Sequence, residues 1–146
     1  MRRDPFEMLE RCHRRLEETL AELAPPTRQA LDEALHFIDR SMQRHENDEE
    51  QSLFPRLAGL TALAPLLDRL TAQHRAQSAL VEELRAQLSA ADGDDARVAD
   101  VVARLGAAYR AHIAVEEREL FPAARAALSA DDVAAMGAEM DARRGR

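Results

Sequence analysis

The chain has one cysteine, no tryptophan and no lysine, and aromatic residues make up only 3% of its 146 positions. A lone Cys12 cannot close an internal disulfide, which fits a reducing cytoplasm. It reads as a small, partly buried residue rather than a nucleophile. No apolar run approaches 18 residues, so no membrane span is expected. The opening Met1-Arg2-Arg3-Asp4-Pro5 lacks the apolar core of a secretion signal. Positive charge is also in deficit. The net charge of −7 and the pI near 5.2 argue against nucleic acid, whose phosphates need a basic footprint. All twenty basic residues are arginine, a bias to which we assign no chemistry. Alternating strand patterns are absent throughout. What remains is 46% hydrophobic and 32% charged, dominated by Ala, Leu, Glu and Arg: the composition of a soluble, all-helical chain. Its length favours a single domain over 1–146.

One phrase occurs twice. His45-x-x-x-Glu49-Glu50-x-x-Leu53-Phe54-Pro55 recurs, 67 residues later, as His112-x-x-x-Glu116-Glu117-x-x-Leu120-Phe121-Pro122. A His and a Glu four apart share a helix face, so each copy offers an imidazole and a carboxylate to one point.

The pattern predicts four long helices. Asp4-Pro5-x-Glu7 opens the first, whose apolar stripe runs Phe6, Leu9, His13, Leu16, Leu20, Leu23. Ala24-Pro25-Pro26 stops it and Thr27 caps the second, with the stripe Leu31, Leu35, Ile38, Met42, His45, Glu49. Pro55 is expected to end or kink this helix, and Pro122 to perturb the end of the fourth. The third starts near Pro65 and carries Leu63, Leu67, Leu70, His74, Gln77, Val81, Leu84, Leu88. After a turn at Asp92-Gly93-Asp94-Asp95 the fourth carries Val98, Val101, Leu105, Ala108, His112, Glu116. Ser129-x-x-Asp132 opens a short fifth helix reaching about Arg143. Four long helices with short connections make an antiparallel up-down-up-down four-helix bundle, followed by a short C-terminal fifth helix. Helices one and two echo helices three and four, as two copies related by a pseudo-two-fold axis.

His13, His45, His74 and His112 fall one on each inward stripe, with Glu49 and Glu116 one turn along. Helix rise puts His74 ~24 Å before its helix end and His112 ~25 Å after its helix start. His13 lies ~16 Å from its own end, a gap the Ala-Pro-Pro segment largely closes with a rise of ~9 Å. The four imidazoles can therefore meet at one level. Six buried polar groups would cost several kcal/mol per charge without compensation, and a pair of divalent cations removes that cost. Mixed imidazole and carboxylate donors with open positions suit iron and also admit manganese or zinc, while a set without Cys is a poor structural zinc site.

These residues resemble the hemerythrin-like family of His-His-Glu cation-binding bundles, to which myohemerythrin is related. The resemblance spans nearly the whole chain. It implies a non-haem centre of two iron ions with an oxo or hydroxo bridge, held by His13, His45, Glu49, His74, His112 and Glu116. It also implies small diatomic or peroxidic ligands, namely oxygen, nitric oxide or peroxide. Glu46 resembles an extra carboxylate ligand of some members; its alternative is a solvated acid. Two departures stand out. The oxygen carriers of the family have a fifth His where this chain has Ser78, and an Asp five residues after the helix-four His, where it has Glu117. Fewer His leave more metal positions open. This favours the broader bacterial group that handles oxygen, nitric oxide or peroxide, senses iron, or repairs damaged iron centres. Carrier, enzyme, and metal- or redox-responsive regulatory module stay open, as do any protein partner and the oligomeric state. His36 is expected at the surface, Tyr109 in the core or beside the metals, and Phe54 and Phe121 at the bundle end. Glu50 and Glu117 are expected outside the ligand set, and Asp48 in solvent.

Overall fold

The computed structural model describes residues 3–91 and 93–146. Met1, Arg2 and Asp92, and with them part of the N-terminal stretch and of the expected turn, lie outside the described residues. Those residues form five helices and no strand. Helix α1 is Pro5–Ala21 and α2 is residues 28–57. Helix α3 is Ala64–Ser89, entered through a 3-10 turn at Thr61–Leu63. Helix α4 is residues 95–127 and α5 is Ala130–Arg143.

The starts follow from the capping chemistry. Asp4 accepts from the Phe6 amide, Thr27 from the Ala30 amide and Asp94 from the Ala96 amide. Ser129 and Asp132 form a reciprocal capping box. Each satisfies a backbone donor that the first helical turn leaves free. The expected stripes are buried except at Leu63 and Leu88, at the ends of the third, and at Ala108 in the fourth, which are only half-buried; beside Ala108 it is Tyr109 that turns inward.

The prolines perturb their helices, as expected, without ending them. Neither Pro55 nor Pro122 ends its helix; α2 continues to Leu57 and α4 to Ala127. In both copies of the repeat the turn just before Pro widens to π geometry, at Glu49–Leu53 and at Glu116–Leu120. The Phe54 and Phe121 amides then reach back five residues, to the carbonyls of Glu49 and Glu116. A widened turn absorbs the missing Pro N–H and the bulk of its ring without breaking the rod. A third π turn occupies Ile38–Met42.

Two apolar clusters fill the interior. One contains Leu16, Leu20, Leu35, Met42, Leu84, Leu105 and Tyr109. The other contains Phe6, Leu9, Leu53, Leu70, Leu120 and Phe121. Helices α1 and α3 pass from the second cluster into the first as residue number rises; α2 and α4 pass the other way. Cross-helix pairs agree: on α3 and α4, Arg69 meets Glu119 at 2.6 Å while Glu83 meets Arg104 at 2.7 Å. Where the two clusters meet, each long helix contributes one histidine. Burial of each Leu in these clusters is worth roughly 1.5–3 kcal/mol, whereas the exposed Arg pairs contribute about 0–1 kcal/mol each. The apolar layers above and below therefore hold the histidine level in place.

Helix α5 is bolted to α2 by charge. Asp48 is buried, and Arg143 and Arg144 reach it at 3.0 and 2.7 Å. Arg143 also donates to Ser52, and Arg56 pairs with Glu139 at 2.7 Å. The expectation that Asp48 is a solvated acid is corrected here: it is an internal anchor neutralised by Arg143, the last residue of α5, and by Arg144 just past it.

Candidate metal centre

All six expected donors converge, and all are buried. They form two overlapping groups, Glu49, His74, His112 and Glu116 in one, His13, His45 and Glu116 in the other. Within each group the ligand atoms lie within 4.8 Å of one another. The imidazoles are paired: His13 with His45, centroids 4.8 Å apart, and His74 with His112, 4.7 Å apart. The two carboxylates lie between the pairs. Glu116 Oε1 is 2.9 Å from His13 Nε2, 3.3 Å from His112 Nε2 and 3.6 Å from His45 Nε2. Glu49 points one oxygen to His74 Nε2 at 3.1 Å and the other to His45 Nε2 at 3.4 Å.

The outer ring nitrogens determine what the inner ones can do. His13 Nδ1 donates to Glu117 Oε2 at 2.7 Å, and His112 Nδ1 donates to Gln73 Oε1 at 2.7 Å. His74 Nδ1 donates to Glu50 Oε1 at 3.4 Å. In a neutral imidazole a proton on Nδ1 leaves Nε2 with a bare lone pair. When neutral, His13, His74 and His112 thus each turn a bare Nε2 lone pair inward. The Nε2 atoms of His74 and His112 are 3.2 Å apart.

Lone pairs aimed at carboxylates and at each other repel unless a cation sits among them. The metal-free protein shows this demand. Burial opposes a charge on His45, yet Glu49, Cys12 and Glu116 overcome it and lift its pKa well above 6.5. Burial likewise opposes a charge on His74, and a hydrogen bond with Glu49 together with the fields of Glu49, Glu46 and Glu116 lifts it to about 9. Burial disfavours the Glu116 carboxylate, but hydrogen bonds with Glu49, His112, His13 and His45 hold it well below its ordinary range. Even so, His45 Nδ1 and Nε2, Glu49 Oε2 and Glu116 Oε2 are buried without a hydrogen-bond partner. Buried polar atoms rarely stay unpaired. Two donors each about 2.1 Å from one ion lie about 3 Å apart, close to the spacings here. The residues present therefore fit a pair of cations.

The second half of each motif serves the neighbouring helix. Glu50 and Phe54 of α2 both act on His74 of α3; the Phe54 ring lies parallel to it at 6.1 Å. Glu117 and Phe121 of α4 both act on His13 of α1, where the rings stack at 5.7 Å. Arg14 in turn pairs with Glu117. Glu50 and Glu117 thus orient the imidazoles of His74 and His13, and the phenylalanines cover the faces of those rings.

Several other expectations are met. His36 is exposed, within 3.5 Å of Arg40. Tyr109 is buried in the apolar cluster. Cys12 is half-buried against that cluster, 3.7 Å from Met42 Sδ. Glu46 is buried, but among the described residues it belongs to neither group of converging donors. Gln73 escaped the sequence reading. Its signal was its place one residue before His74, on the edge of the inward stripe. A groove of about 540 Å³ between the start of α1 and α5 contains none of the six donors.

Comparison with known proteins agrees with this geometry. The family model described as hemerythrin HHE cation binding domain matches residues 4–124, a span that includes all six donors and ends before α5. The chain is similar to an uncharacterized protein of Haemophilus influenzae. The two are 28% identical over 156 aligned residues, which cover 97% of this chain and 90% of that protein.

Proposed function

The chain belongs to the hemerythrin HHE cation-binding family, and on that premise we propose that it is a non-haem di-iron protein that binds or reacts with small ligands such as oxygen, nitric oxide or peroxide. His13, His45, Glu49, His74, His112 and Glu116 are the proposed ligands, arranged in an antiparallel four-helix bundle that forms one domain. The observation that carries this reading is the placement of Glu49 and Glu116. Each lies between the two imidazole pairs, and each keeps a buried oxygen without a partner. Mixed nitrogen and oxygen donors without thiolate favour iron, with manganese or zinc as substitutes. Bound iron would supply an open coordination position and a change of oxidation state. The protein's own residues do the rest. Glu117, Gln73 and Glu50 hold the proton on Nδ1 of three imidazoles, and Phe54 and Phe121 exclude water from their faces. The lone Cys12 and the acidic surface suit a cytoplasmic protein that avoids nucleic acid. No helix among the described residues is long and apolar enough to cross a membrane.

Anaerobic reconstitution with ferrous iron followed by metal analysis tests the reading. About two irons per chain, with near-ultraviolet absorption after oxidation, are expected. A chain that retains no iron would overturn it.

One observation favours a regulatory role for the same centre. Asp48 adjoins Glu49 and is held by Arg143 and Arg144, which lie at the end of α5 and beyond the matched span. Metal at Glu49 would then be felt at α5. Hydrogen exchange in α5 that slows on metal loading supports this second reading, and identical exchange in both forms rules it out.

A further inference from the structure

Three of the four imidazoles have an acceptor for their outer nitrogen, and those acceptors follow the pseudo-two-fold relation. Glu117 of α4 serves His13 of α1, and its counterpart Glu50 of α2 serves His74 of α3. Gln73, the residue before His74 on α3, serves His112 of α4. The counterpart of Gln73 is the residue before His13 on α1, and the ring it would serve is His45 of α2. That residue is Cys12.

His45 is the imidazole left without an outer partner. It is 1% exposed, and its Nδ1 is buried with no hydrogen-bond partner. Its Nε2 faces Glu49 at 3.4 Å and Glu116 at 3.6 Å, so Nδ1 is turned outward. Cys12 is held near this ring by both of its neighbours. It precedes His13, whose ring centroid is 4.8 Å from that of His45. Its thiol donates to Met42 Sδ at 3.7 Å, and Met42 stands three residues before His45 on α2. With the S–H spent on Met42, the lone pairs of the sulfur stay free, and a thiol sulfur can accept weakly. Burial opposes a charge on His45, whereas Glu49 and then Cys12 favour one, which puts the sulfur within reach of the ring. The third π turn also fits. Unlike the other two it is not followed by Phe-Pro, and it ends on Met42, the residue that takes the thiol proton. Such turns recur at functional sites.

We propose that Cys12 is a positioning residue of the metal centre: its sulfur accepts a hydrogen bond from His45 Nδ1–H and so turns a bare Nε2 toward the ions, the task that Gln73 performs for His112. The proposal rests on the metal-centre reading above and adds the fourth orienting group, whose chemistry differs from the other three. Loss of an outer partner of a ligating histidine weakens metal binding about 10- to 100-fold. A sulfur is a weaker acceptor than a carboxylate or amide oxygen, so the effect belongs at the lower end.

The test is chelator competition with zinc on the full chain, with zinc as the diamagnetic substitute for iron. Cys12→Val, which keeps the bulk and removes the acceptor, should bind zinc about tenfold more weakly. Cys12→Ser should recover most of the loss, because a hydroxyl both donates and accepts. A second readout is the nitrogen–proton NMR spectrum of the zinc-loaded chain. The Nδ1 proton of His45 should move upfield in Cys12→Val, further than those of the other three ligating histidines. Zinc bound equally by wild type and Cys12→Val, with that resonance unmoved, overturns the proposal and leaves the metal-centre reading intact. Equal weakening in Cys12→Val and Cys12→Ser also overturns it, since packing rather than a lone pair would then be at work. A wild type that binds neither zinc nor iron overturns both.

Discussion

Glu117 on α4 accepts a hydrogen bond from His13 Nδ1 on α1 at 2.7 Å and so determines which nitrogen of that ring faces the other donors. The partner of His112 is an amide, Gln73, at the same distance. Either acceptor fixes the tautomer. Glu117→Ala should weaken metal binding about 10- to 100-fold, and Glu117→Gln should recover most of the loss because Gln73 performs the same task. Competition with a chelator measures both constants. Equal binding by Glu117→Ala and wild type would contradict the orienting role.

The metal-free protein should lose stability as pH rises. His74 has a folded pKa of about 9 against an ordinary value of 6.5. A group raised on folding contributes stability that is fully present below 6.5 and is lost as pH climbs through 9. Thermal melts of the metal-free chain between pH 6 and 10 should show this slope, and His74→Gln should flatten it. Metal loading should remove the slope as well, since ligation requires a neutral imidazole, and acid should expel the metal.

At acid pH a different group acts. Arg56 and Ser52 bond to Glu139 and draw its carboxyl down to about 2 from 4.5. Its stabilising effect is complete above 4.5 and fades as pH falls toward 2. The pair is partly exposed, so the effect is modest. Glu139→Gln should reduce the dependence of the melting temperature on pH in that window; an identical acid profile would show that the pair contributes nothing.

Asp48 should be the costliest charge to strand. It is buried with Arg143, at the end of α5, and Arg144, just past it, as its partners. Removing both in Arg143→Ala/Arg144→Ala leaves a buried anion uncompensated, a loss of about 3–5 kcal/mol in denaturant unfolding. Asp48→Asn should cost less, since no buried charge remains. A double variant as stable as wild type would mean that α5 is not anchored through Asp48.

Phe121 stacks on His13 and is almost fully buried. Phe121→Ala should destabilise the chain by about 3–5 kcal/mol. Phe54, slightly more exposed, should cost less. Denaturant midpoints compare the two, and a reversed order would contradict the burial seen here.

The donor set was legible because it repeats. Two copies of one phrase, plus His13 and His74 at matching places on their stripes, fixed six residues that the structure brings to one level. The caps at Asp4, Thr27 and Ser129 were legible for the same local reason, since each depends on bonds spanning two or three residues. The π turns were not. A proline after a helical stripe is read as an end, a kink or a perturbation; whether the preceding turn widens depends on five-residue bonds and on packing of Leu53 and Leu120. Asp48 was misread because its partners lie 95 and 96 positions away along the chain, in a helix whose docking no local pattern encodes. Gln73 was missed because a glutamine at a stripe edge carries no signature until its neighbour His112 is placed.

The most direct test is anomalous X-ray scattering at the iron edge from crystals of the reconstituted protein. The account predicts two peaks per chain. One lies among His13, His45 and Glu116, the other among His74, His112, Glu49 and Glu116. No peak at these residues, or iron bound only at surface acids, would contradict it.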